Sequence, residues 1–490
     1  MPSPPSAALL RSLADLLGPK GFTTDPAEMG PWLVDWRGRW RGAAAAMLSP
    51  ATATETAEAV RLCAGERVAI VPQGGNSSMV GGATPDPGGA AVILSLRRMN
   101  RIRSVDPAAN LAVCEAGVIL SNLHEAALAA RRRFPLTLGA KGTATVGGLV
   151  STNAGGTQVL RFGTMRGLVM GIEAVLPDGS LFEGLAPLKK DNRGYDLKQL
   201  LIGAEGTLGI VTAASLKLVP AVASRVVAWV AVETPEAALA LLRHCEAALG
   251  EAVEAFELVP RSSLDLVLRH IPGARPPLAE PSAWNVLIES VSADESREPQ
   301  LALAEALERA LTLGLVVDAS IAASEAQAEA FWWLRDSISE AERHDGPAAK
   351  HDISVEVAAM PGFMAEAASA VERRFPGTRV NAFGHLGDGN VHFNVRAPEG
   401  AGGEWLAATG AAVTAFVHDL VTAAGGSISA EHGIGQMKVA ELARLGEPAR
   451  LRAMRAIKQA LDPQGIMNPG KLVPPAVADE GSLAEKADPQ

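Results

Sequence analysis

Val71-Pro-Gln-Gly-Gly-Asn-Ser-Ser-Met-Val-Gly-Gly-Ala-Thr-Pro85 follows the β-rich run Val68-Ala-Ile-Val71 and packs four glycines with Asn76, Ser77 and Ser78. Such a loop can aim backbone N–H groups and hydroxyls at a pyrophosphate. It is not a Walker A loop, because no Gly-Lys-Ser/Thr follows, and it is not the GxGxxG opening of a Rossmann helix. Alone it reads equally well as a flexible turn. A second block, Gly139-Ala-Lys-Gly-Thr-Ala-Thr-Val-Gly-Gly-Leu-Val-Ser-Thr-Asn-Ala-Gly-Gly156, sets Thr143, Gly147 and Gly148 before a short predicted helix over Leu149 to Asn153. A helix N-terminus among small residues seats anions, and glycine lets the backbone approach a flat ring. The third block is Asp191-Asn-Arg-Gly-Tyr-Asp-Leu197 followed by Leu201-Ile-Gly-Ala-Glu-Gly-Thr-Leu-Gly-Ile210.

Around these blocks, short strand-like runs alternate with turns from Ala43 to about Pro220: Ala91–Leu94, Leu111–Cys114, Gly171–Leu176 and Leu208–Thr212. The pattern predicts a strand-rich α+β domain over 1–220. Strand-like Arg225–Val232 and Trp284–Ser290 then alternate with helical Pro235–Leu249 and Pro299–Leu313, so a second, α/β domain is expected over 221–424. Ile271-Pro-Gly-Ala-Arg-Pro-Pro277 reads as a loop within it. A C-terminal helical segment over 425–478 and a flexible tail over 479–490 complete the division.

Composition narrows the class. Of 490 residues, 48% are hydrophobic and 20% charged, enough apolar material for two or three packed domains. A net charge of −10 leaves no overall basic field, which disfavours nucleic-acid partners. The three cysteines, Cys63, Cys114 and Cys245, lack metal or redox spacing and fit buried thiols in a reducing cytoplasm. The Ala7–Leu10 stretch is interrupted by Arg11 and Asp15 and reads as a first helix rather than a signal segment. The longest apolar runs, such as Val226–Val232, look strand-sized against the roughly 20 residues of a membrane span, so no integral membrane segment is expected. Peripheral association stays open.

Downstream, Asn381-Ala-Phe-Gly-His-Leu-Gly-Asp-Gly-Asn-Val-His-Phe-Asn-Val395 reads as strand, tight turn, strand. Such a hairpin brings His385 and His392 together. Gly425-Gly-Ser-Ile-Ser-Ala-Glu-His-Gly-Ile-Gly435 adds Glu431 and His432 in a glycine-rich turn. Two neutral imidazoles and a carboxylate suit a catalytic Zn²⁺ with open positions, and Mn²⁺ or Fe²⁺ accept similar donors. On these residues alone, a purely structural histidine pair is the favoured reading over a metal site. His124, His244, His270 and His418 lie in helical or surface-like text without evident partners and are read as structural. The helix Phe331-Trp-Trp-Leu-Arg-Asp-Ser-Ile-Ser-Glu-Ala341 places Phe331, Leu334 and Ile338 on a core face, with Arg335 and Ser339 one turn apart beside it. Asn394, two residues beyond His392, shares its strand face.

In these three ordered blocks the chain resembles the FAD-linked oxidases of the vanillyl-alcohol oxidase and p-cresol methylhydroxylase type, from about Asp35 to Val473. Within that superfamily it is most similar to D-2-hydroxyglutarate, D-lactate and glycolate dehydrogenases, through Pro72–Asn76, Gly139–Gly142, Asn153–Gly156 and the early Val34-Asp-Trp-Arg37. Relatives more often carry Thr-Gly at Ser77-Ser78. The resemblance implies a superfamily-type FAD-binding domain, a second α/β substrate domain and a C-terminal segment returning to the flavin domain. It implies that FAD is held by Pro72, Gly74, Gly75, Asn76, Ser77, Ser78, Gly139, Ala140, Gly142, Thr143, Gly147, Gly148, Ser151, Asn153, Ala154, Glu205, Gly209 and Ile210. The closing motif Leu461-Asp-Pro-Gln-Gly-Ile-Met-Asn-Pro-Gly-Lys471 makes Asn468 a further flavin-side candidate.

No His or Cys interrupts the first loop, so noncovalent FAD is expected. By the same resemblance, His385, His392 and Glu431 are metal ligands and His432 the catalytic base. Arg335, Ser339, Lys350 and Asn394 would bind substrate. The implied reaction is metal-assisted oxidation of a D-2-hydroxy acid, with D-2-hydroxyglutarate or D-malate favoured if Arg335 and Lys350 meet a distal carboxylate. D-lactate or glycolate oxidation, peroxide-forming oxidase activity, and a non-catalytic flavoprotein subunit of a glycolate oxidase complex are the alternatives. No nicotinamide fingerprint occurs, so electrons are expected to leave through an external carrier, an electron-transfer flavoprotein or a quinone. Homodimer assembly stays open.

Overall fold

The computed structural model describes residues 3–476; the tail expected from Asp479 onward lies outside them. Strands β1 (Phe22–Thr23), β2 (Ala46–Leu48), β3 (Ile70–Gln73) and β4 (Val92–Ser95) form a sheet in the order β1-β2-β4-β3, with β2 and β3 both parallel to β4. Both faces are covered, which is why these strands read as unbroken apolar runs. Helices Ala7–Leu17 and Ala53–Gly65 bury Leu13, Val60 and Cys63 against Val92 and Leu94 on one side, while Met29 and Met47 pack on Ile93 on the other. Each helix starts on a hydroxyl cap, Ser6 and Thr52, whose side chain accepts from the backbone three residues on.

A second sheet is antiparallel, in the order β5-β6-β10-β8-β9: β5 (Ile102–Asp106), β6 (Leu111–Glu115), β8 (Val169–Val175), β9 (Leu181–Gly184) and β10 (Ile210–Lys217). A small ribbon pairs β7 (Arg132–Arg133) with β11 (Val219–Pro220). The helix of the second glycine block spans Val146–Thr152, not Leu149 to Asn153. Gly147 and Gly148 therefore lie inside its first turn. The reason is close approach: a Cβ on Gly147 would sit 2.6 Å from the Ala116 Cβ.

Seven antiparallel strands make the third sheet, in the order β15-β12-β14-β13-β17-β18-β16: β12 (Ser224–Val232), β13 (Val253–Pro260), β14 (Trp284–Ser292), β15 (Asp318–Ile321), β16 (Ala348–Ser354), β17 (Arg379–His385) and β18 (Asn390–Arg396). Side chains alternate between two faces. One face carries Val226, Ala228, Phe256, Leu258, Phe393 and Val395 beneath helices Pro235–Leu249, Pro299–Thr312, Met360–Arg374 and Gly403–Ala423. The other carries Val227, Trp229, Leu287 and Phe383 beneath Arg261–His270, Glu325–Asp336 and Ile338–Asp345. Along β13, β17, β18 and β16 this second face turns polar, and there the site is built.

Two expectations need correction. The helix read over Phe331–Ala341 is divided: it ends at Asp336, and Ile338 starts the next one. Ser337 has ψ near −9°, short of the usual helical value near −42°, which redirects the chain while keeping Phe331, Leu334 and Ile338 buried. The apolar segments are also not all strand-sized. Helix Gly403–Ala423 is 21 residues long with mean hydropathy 1.4, enough by length and composition to cross a membrane. Here it packs as an outer layer on β16, burying the stripe Gly410, Val413, Val417, His418 and Val421.

The flavin-side and substrate-side sheets are joined by charge. Arg133 and Arg161 both donate to Glu254 on β13, whose carboxylate is 2% exposed. The C-terminal motif returns to the first sheet: Ile70 donates to the Ile466 carbonyl, Asn468 donates to the Ile70 carbonyl, and Lys458 Nζ donates to the Thr207 carbonyl.

Candidate active site

A cavity of about 930 Å³ opens between the glycine loops on one side and Asp336, Glu340 and the Glu431–His432 turn on the other. Among the expected flavin contacts, Pro72, Gly74, Gly75, Asn76, Ser77, Ser78, Gly139, Ala140, Gly142, Thr143, Gly147, Gly148, Ser151, Ala154, Glu205, Gly209 and Ile210 all line it. The loops close tightly on one another. A Cβ on Gly75 would stand 1.8 Å from the Thr143 carbonyl oxygen, and one on Gly74 would stand 2.3 Å from the Thr145 hydroxyl. Asn76 adopts a left-handed φ of 53° and donates to the Val34 carbonyl, which fixes the early Val34–Arg37 segment beside the cradle. Trp36 from that segment reaches the cavity.

Two expected contacts lie outside the lining, and a third has a second task. Asn153 is the left-handed cap of helix Val146–Thr152 and accepts from the Arg166 N–H, so it does not line the cavity. Asn468 also stands behind the wall, where its amide donates to the Gly82 and Glu205 carbonyls. Glu205 lines the cavity, but its carboxylate accepts the N–H groups of Ile434 and Gly435 at 2.7 and 2.8 Å. That carboxylate also holds the loop that carries Glu431 and His432.

Glu431 and His432 line the same cavity. The hairpin forms as the sequence suggests, with turn Leu386–Gly389 between β17 and β18, and it stacks the His385 and His392 rings edge-on with centroids 5.4 Å apart. His385 Nδ1 lies 2.6 Å from Glu257, a residue of β13 directly opposite it. Burial pulls the His385 pKa down, but the Glu257 carboxylate outweighs this and lifts it to about 9. His392, desolvated and beside His385, drops to about 3 and is neutral. Burial pushes Glu431 up to about 7.

The three expected ligands do not close on one another as drawn from the sequence. Among the described residues, the acid and imidazole donors that do meet, all within 4.8 Å, are Asp352, Glu431 and His432. Asp352 was missed by sequence reasoning. It lies on β16 opposite His392, accepts from the Asn390 amide at 3.0 Å and from the N–H groups of Glu431 and His432 at 2.9 Å, and stands 3.4 Å from His432 Nδ1. Burial would raise its carboxyl, but His432, Lys438 and those N–H groups hold it well below the usual range. Burial also lowers the His432 pKa, which keeps the imidazole neutral and able to accept a proton.

The expected substrate groups are already engaged. Arg335 pairs with Glu257 through Nε and Nη2 at 2.8 Å, and its Nη2 lies 3.4 Å from His385 Nε2. Among the described residues, the acid nearest its Nη1 is Asp336, at 4.0 Å. Lys350 and Asn394 converge on Glu342, fully buried on the short helix Ile338–Asp345, at 3.2 and 2.7 Å. Ser339 is exposed and offers its carbonyl to Lys350. Nor do the remaining histidines lack partners: His124 and His244 bond the Leu136 and Ala306 carbonyls, His270 pairs with Asp345, and buried His418 pairs with Glu441. Their structural role stands, with partners the sequence did not show.

Residues 222–472 match the family model of the C-terminal domain of FAD-linked oxidases, and residues 44–184 match an FAD-binding domain. The chain belongs to the FAD-linked oxidase family. It is 38% identical over 462 residues to the mitochondrial D-2-hydroxyglutarate dehydrogenase of Arabidopsis thaliana, covering 94% of this chain and 80% of that protein. It is 36% identical to the D-2-hydroxyglutarate dehydrogenase of Xanthomonas citri pv. viticola, covering 92% of this chain and 93% of that one. The fold matches p-cresol methylhydroxylase with substrate bound, at TM-score 0.74 and 15% identity over 95% and 96% of the two chains. This FAD-linked oxidase is thus an FAD-dependent dehydrogenase built on the p-cresol methylhydroxylase type of flavin domain.

The cradle fits that cofactor. Buried Thr145 Oγ1 and Gln73 Oε1, on residues lining the cavity, have no hydrogen-bond partner within the protein. Cys63, Cys114 and Cys245 are buried away from the cavity with thiol pKa values pushed to about 12, and among the described lining residues the one His or Cys is His432. The donor chemistry also suits a dication. His385 is oriented by Glu257 in the manner of a metal-ligating histidine, His392 is neutral, and burial pushes the Glu431 carboxyl up to about 7 although His385 and Arg335 pull it down.

Proposed function

We propose that this dehydrogenase oxidises D-2-hydroxyglutarate to 2-oxoglutarate, with D-malate as the nearest alternative substrate, and passes electrons to an external carrier such as an electron-transfer flavoprotein or a quinone. The observation that carries the reading is that Glu431 and His432 line the same cavity as the glycine cradle. In this reading base and electron acceptor face one reacting carbon. FAD, held noncovalently by the cradle, supplies a two-electron hydride acceptor. Although their donor atoms do not meet in this structure, His385, His392 and Glu431 would hold a divalent metal, zinc by preference, which would acidify the substrate hydroxyl and orient the α-carboxylate.

The chain's own groups carry the rest. His432 presents Nε2 to the hydroxyl because Nδ1 faces Asp352, and the imidazolium formed there is stabilised by that carboxylate. Arg335 keeps Nη1 for the distal carboxylate while Glu257 fixes its other edge, and Lys350 adds a second cation from β16. Ser339 and Asn394 complete that end.

Two results test this. Acid precipitation should release yellow FAD into the supernatant; flavin retained in the protein pellet would overturn noncovalent binding. In a panel of D- and L-2-hydroxy acids, D-2-hydroxyglutarate should give the highest kcat/KM, and Arg335→Lys should erase most of its advantage over D-lactate. Lysine keeps a charge against buried Glu257, so folding is preserved while the fork geometry is lost. A wild-type preference for lactate or glycolate, or unchanged discrimination in Arg335→Lys, would defeat the distal-carboxylate role.

A further inference from the structure

The turn that carries Glu431 and His432 belongs to no sheet and no helix, yet its backbone is held from two sides. The Glu431 and His432 N–H groups donate to Asp352 Oδ2, each at 2.9 Å. The Ile434 and Gly435 N–H groups donate to Glu205 Oε1 and Oε2 at 2.7 and 2.8 Å. Asp352 is 4% exposed and Glu205 9% exposed. Buried carboxylates persist where charge-assisted donors compensate their desolvation. Here the donors are four peptide N–H groups, the Asn390 amide on Asp352 and, through space, the buried ammonium of Lys438, which bonds the Ile428 carbonyl at the start of the same turn; on Glu205 they offset part of the rise that burial imposes on its carboxyl.

The two carboxylates come from different parts of the fold. Asp352 stands on β16 of the large sheet, opposite His392. Glu205 stands in the third glycine block, left-handed at φ 50°, with its N–H on the Ser151 carbonyl and its own carbonyl held by Asn468. The turn is shaped to receive them. Gly433 has φ +81°, and a Cβ there would lie 2.7 Å from Glu205 Oε1; Gly435 has φ +52°, and a Cβ there would lie 2.3 Å from the Val80 carbonyl oxygen of the first flavin loop. No side chain other than hydrogen fits either place without displacing the clamp.

We propose that Glu205 and Asp352 form a two-carboxylate clamp that sets the Glu431–His432 turn at a fixed distance between the flavin cradle and the substrate sheet, making both of them positioning residues for the reaction. Neither touches the reacting atoms. Glu205 registers the turn to the wall where the flavin lies, and Asp352 registers it to the strand that bears His392. A misplacement on the order of 1 Å at a reacting group costs about a hundredfold in rate, so an anchor on each side is worth the burial of two charges. The effect on rate rests on His432 acting as the base, as proposed above.

The test uses the FAD-loaded full chain with Glu205→Gln, Glu205→Asp and Asp352→Asn. An amide in place of either carboxylate turns an N–H toward one of the two donors it replaces. Amide hydrogen exchange should accelerate at least about tenfold at Ile434 and Gly435 in Glu205→Gln, and at Glu431 and His432 in Asp352→Asn, with the other pair much less affected. Anaerobic reduction by D-2-hydroxyglutarate, normalised to bound flavin, should slow at least about tenfold in both, with KM changed far less than kcat, and Glu205→Asp should recover part of the loss. A residue serving stability alone would lower the melting temperature and leave the per-flavin rate untouched. Unchanged exchange across the turn, or an unchanged per-flavin rate in both variants, would overturn the clamp. If Glu205→Gln fails to load flavin, Glu205→Asp and Asp352→Asn carry the same two readouts. Should His432→Ala reduce its flavin as fast as wild type, the base reading falls, while the exchange data still decide whether the clamp exists.

Discussion

His432→Ala is expected to slow anaerobic flavin reduction by about 10²–10⁴-fold, the range for losing a positioned general base, while flavin content stays at the wild-type level. The substitution should be structurally mild. The turn is held through backbone N–H groups on Asp352 and Glu205, and none of those bonds involves the imidazole. The His432 side chain is 27% exposed, so its removal leaves no sealed cavity. What disappears is a neutral acceptor backed by an anionic partner, the arrangement that lets a proton settle where the hydroxyl gives it up. Stopped-flow reduction by D-2-hydroxyglutarate provides the measurement. Near-normal reduction would deny His432 the base role and leave it as an ornament of the Asp352 contact.

The second large effect concerns the metal. Dialysis against a strong chelator, or His392→Ala, should cut turnover by at least about a hundredfold without releasing FAD, and the active protein should hold close to one divalent ion per chain. The physical reason lies in the charges. Glu431 is buried enough to push its carboxyl up to about 7, and His392 is neutral with its pKa near 3. A dication among these donors relieves the first and needs the second. The flavin should stay because the cradle closes on its own glycine loops, with Gly74 and Gly75 against Thr145 and Thr143, and not on the histidine pair. The cradle and the catalytic turn are nevertheless stitched together by Glu205, so independence is expected of flavin retention and not of loop geometry. Full activity without a stoichiometric metal would return His385 and His392 to the role of buried partners of Glu257 and of each other.

Much of this site is legible in the sequence, and the reason is local. Loops 71–85 and 139–156 announce themselves because glycine, serine and asparagine cluster where backbone must approach a ligand. The His385–His392 hairpin is equally plain, since four turn residues separate two alternating strands. The unread part depends on long-range register. Asp352 meets His392 only because β16 pairs with β18 in one particular alignment, and Glu257 meets His385 only because β13 lies next to β17, 128 residues away in sequence. Period-2 text does not say which strand lies next to which. Glu342 escaped notice for a similar reason: on the helix it looks like a solvated acid, yet it is buried under Asn381, Asn394 and Lys350. The helix division at Ser337 left no signal, because serine is tolerated in a helix and the apolar spacing of Phe331, Leu334 and Ile338 continues across it.

The burial of Cys63, Cys114 and Cys245 has a bearing on life with oxygen. A reduced flavin that meets O₂ yields peroxide, and peroxide attacks thiolate, not thiol. Three sealed thiols held protonated, with pKa values near 12, offer it no nucleophile. Any peroxide formed at the flavin therefore finds no thiolate on this chain to oxidise. A cysteine introduced at an exposed position such as Trp36, at the cavity mouth, would be the one exposed thiol on the native protein and a clean place to attach a thiol-directed reporter.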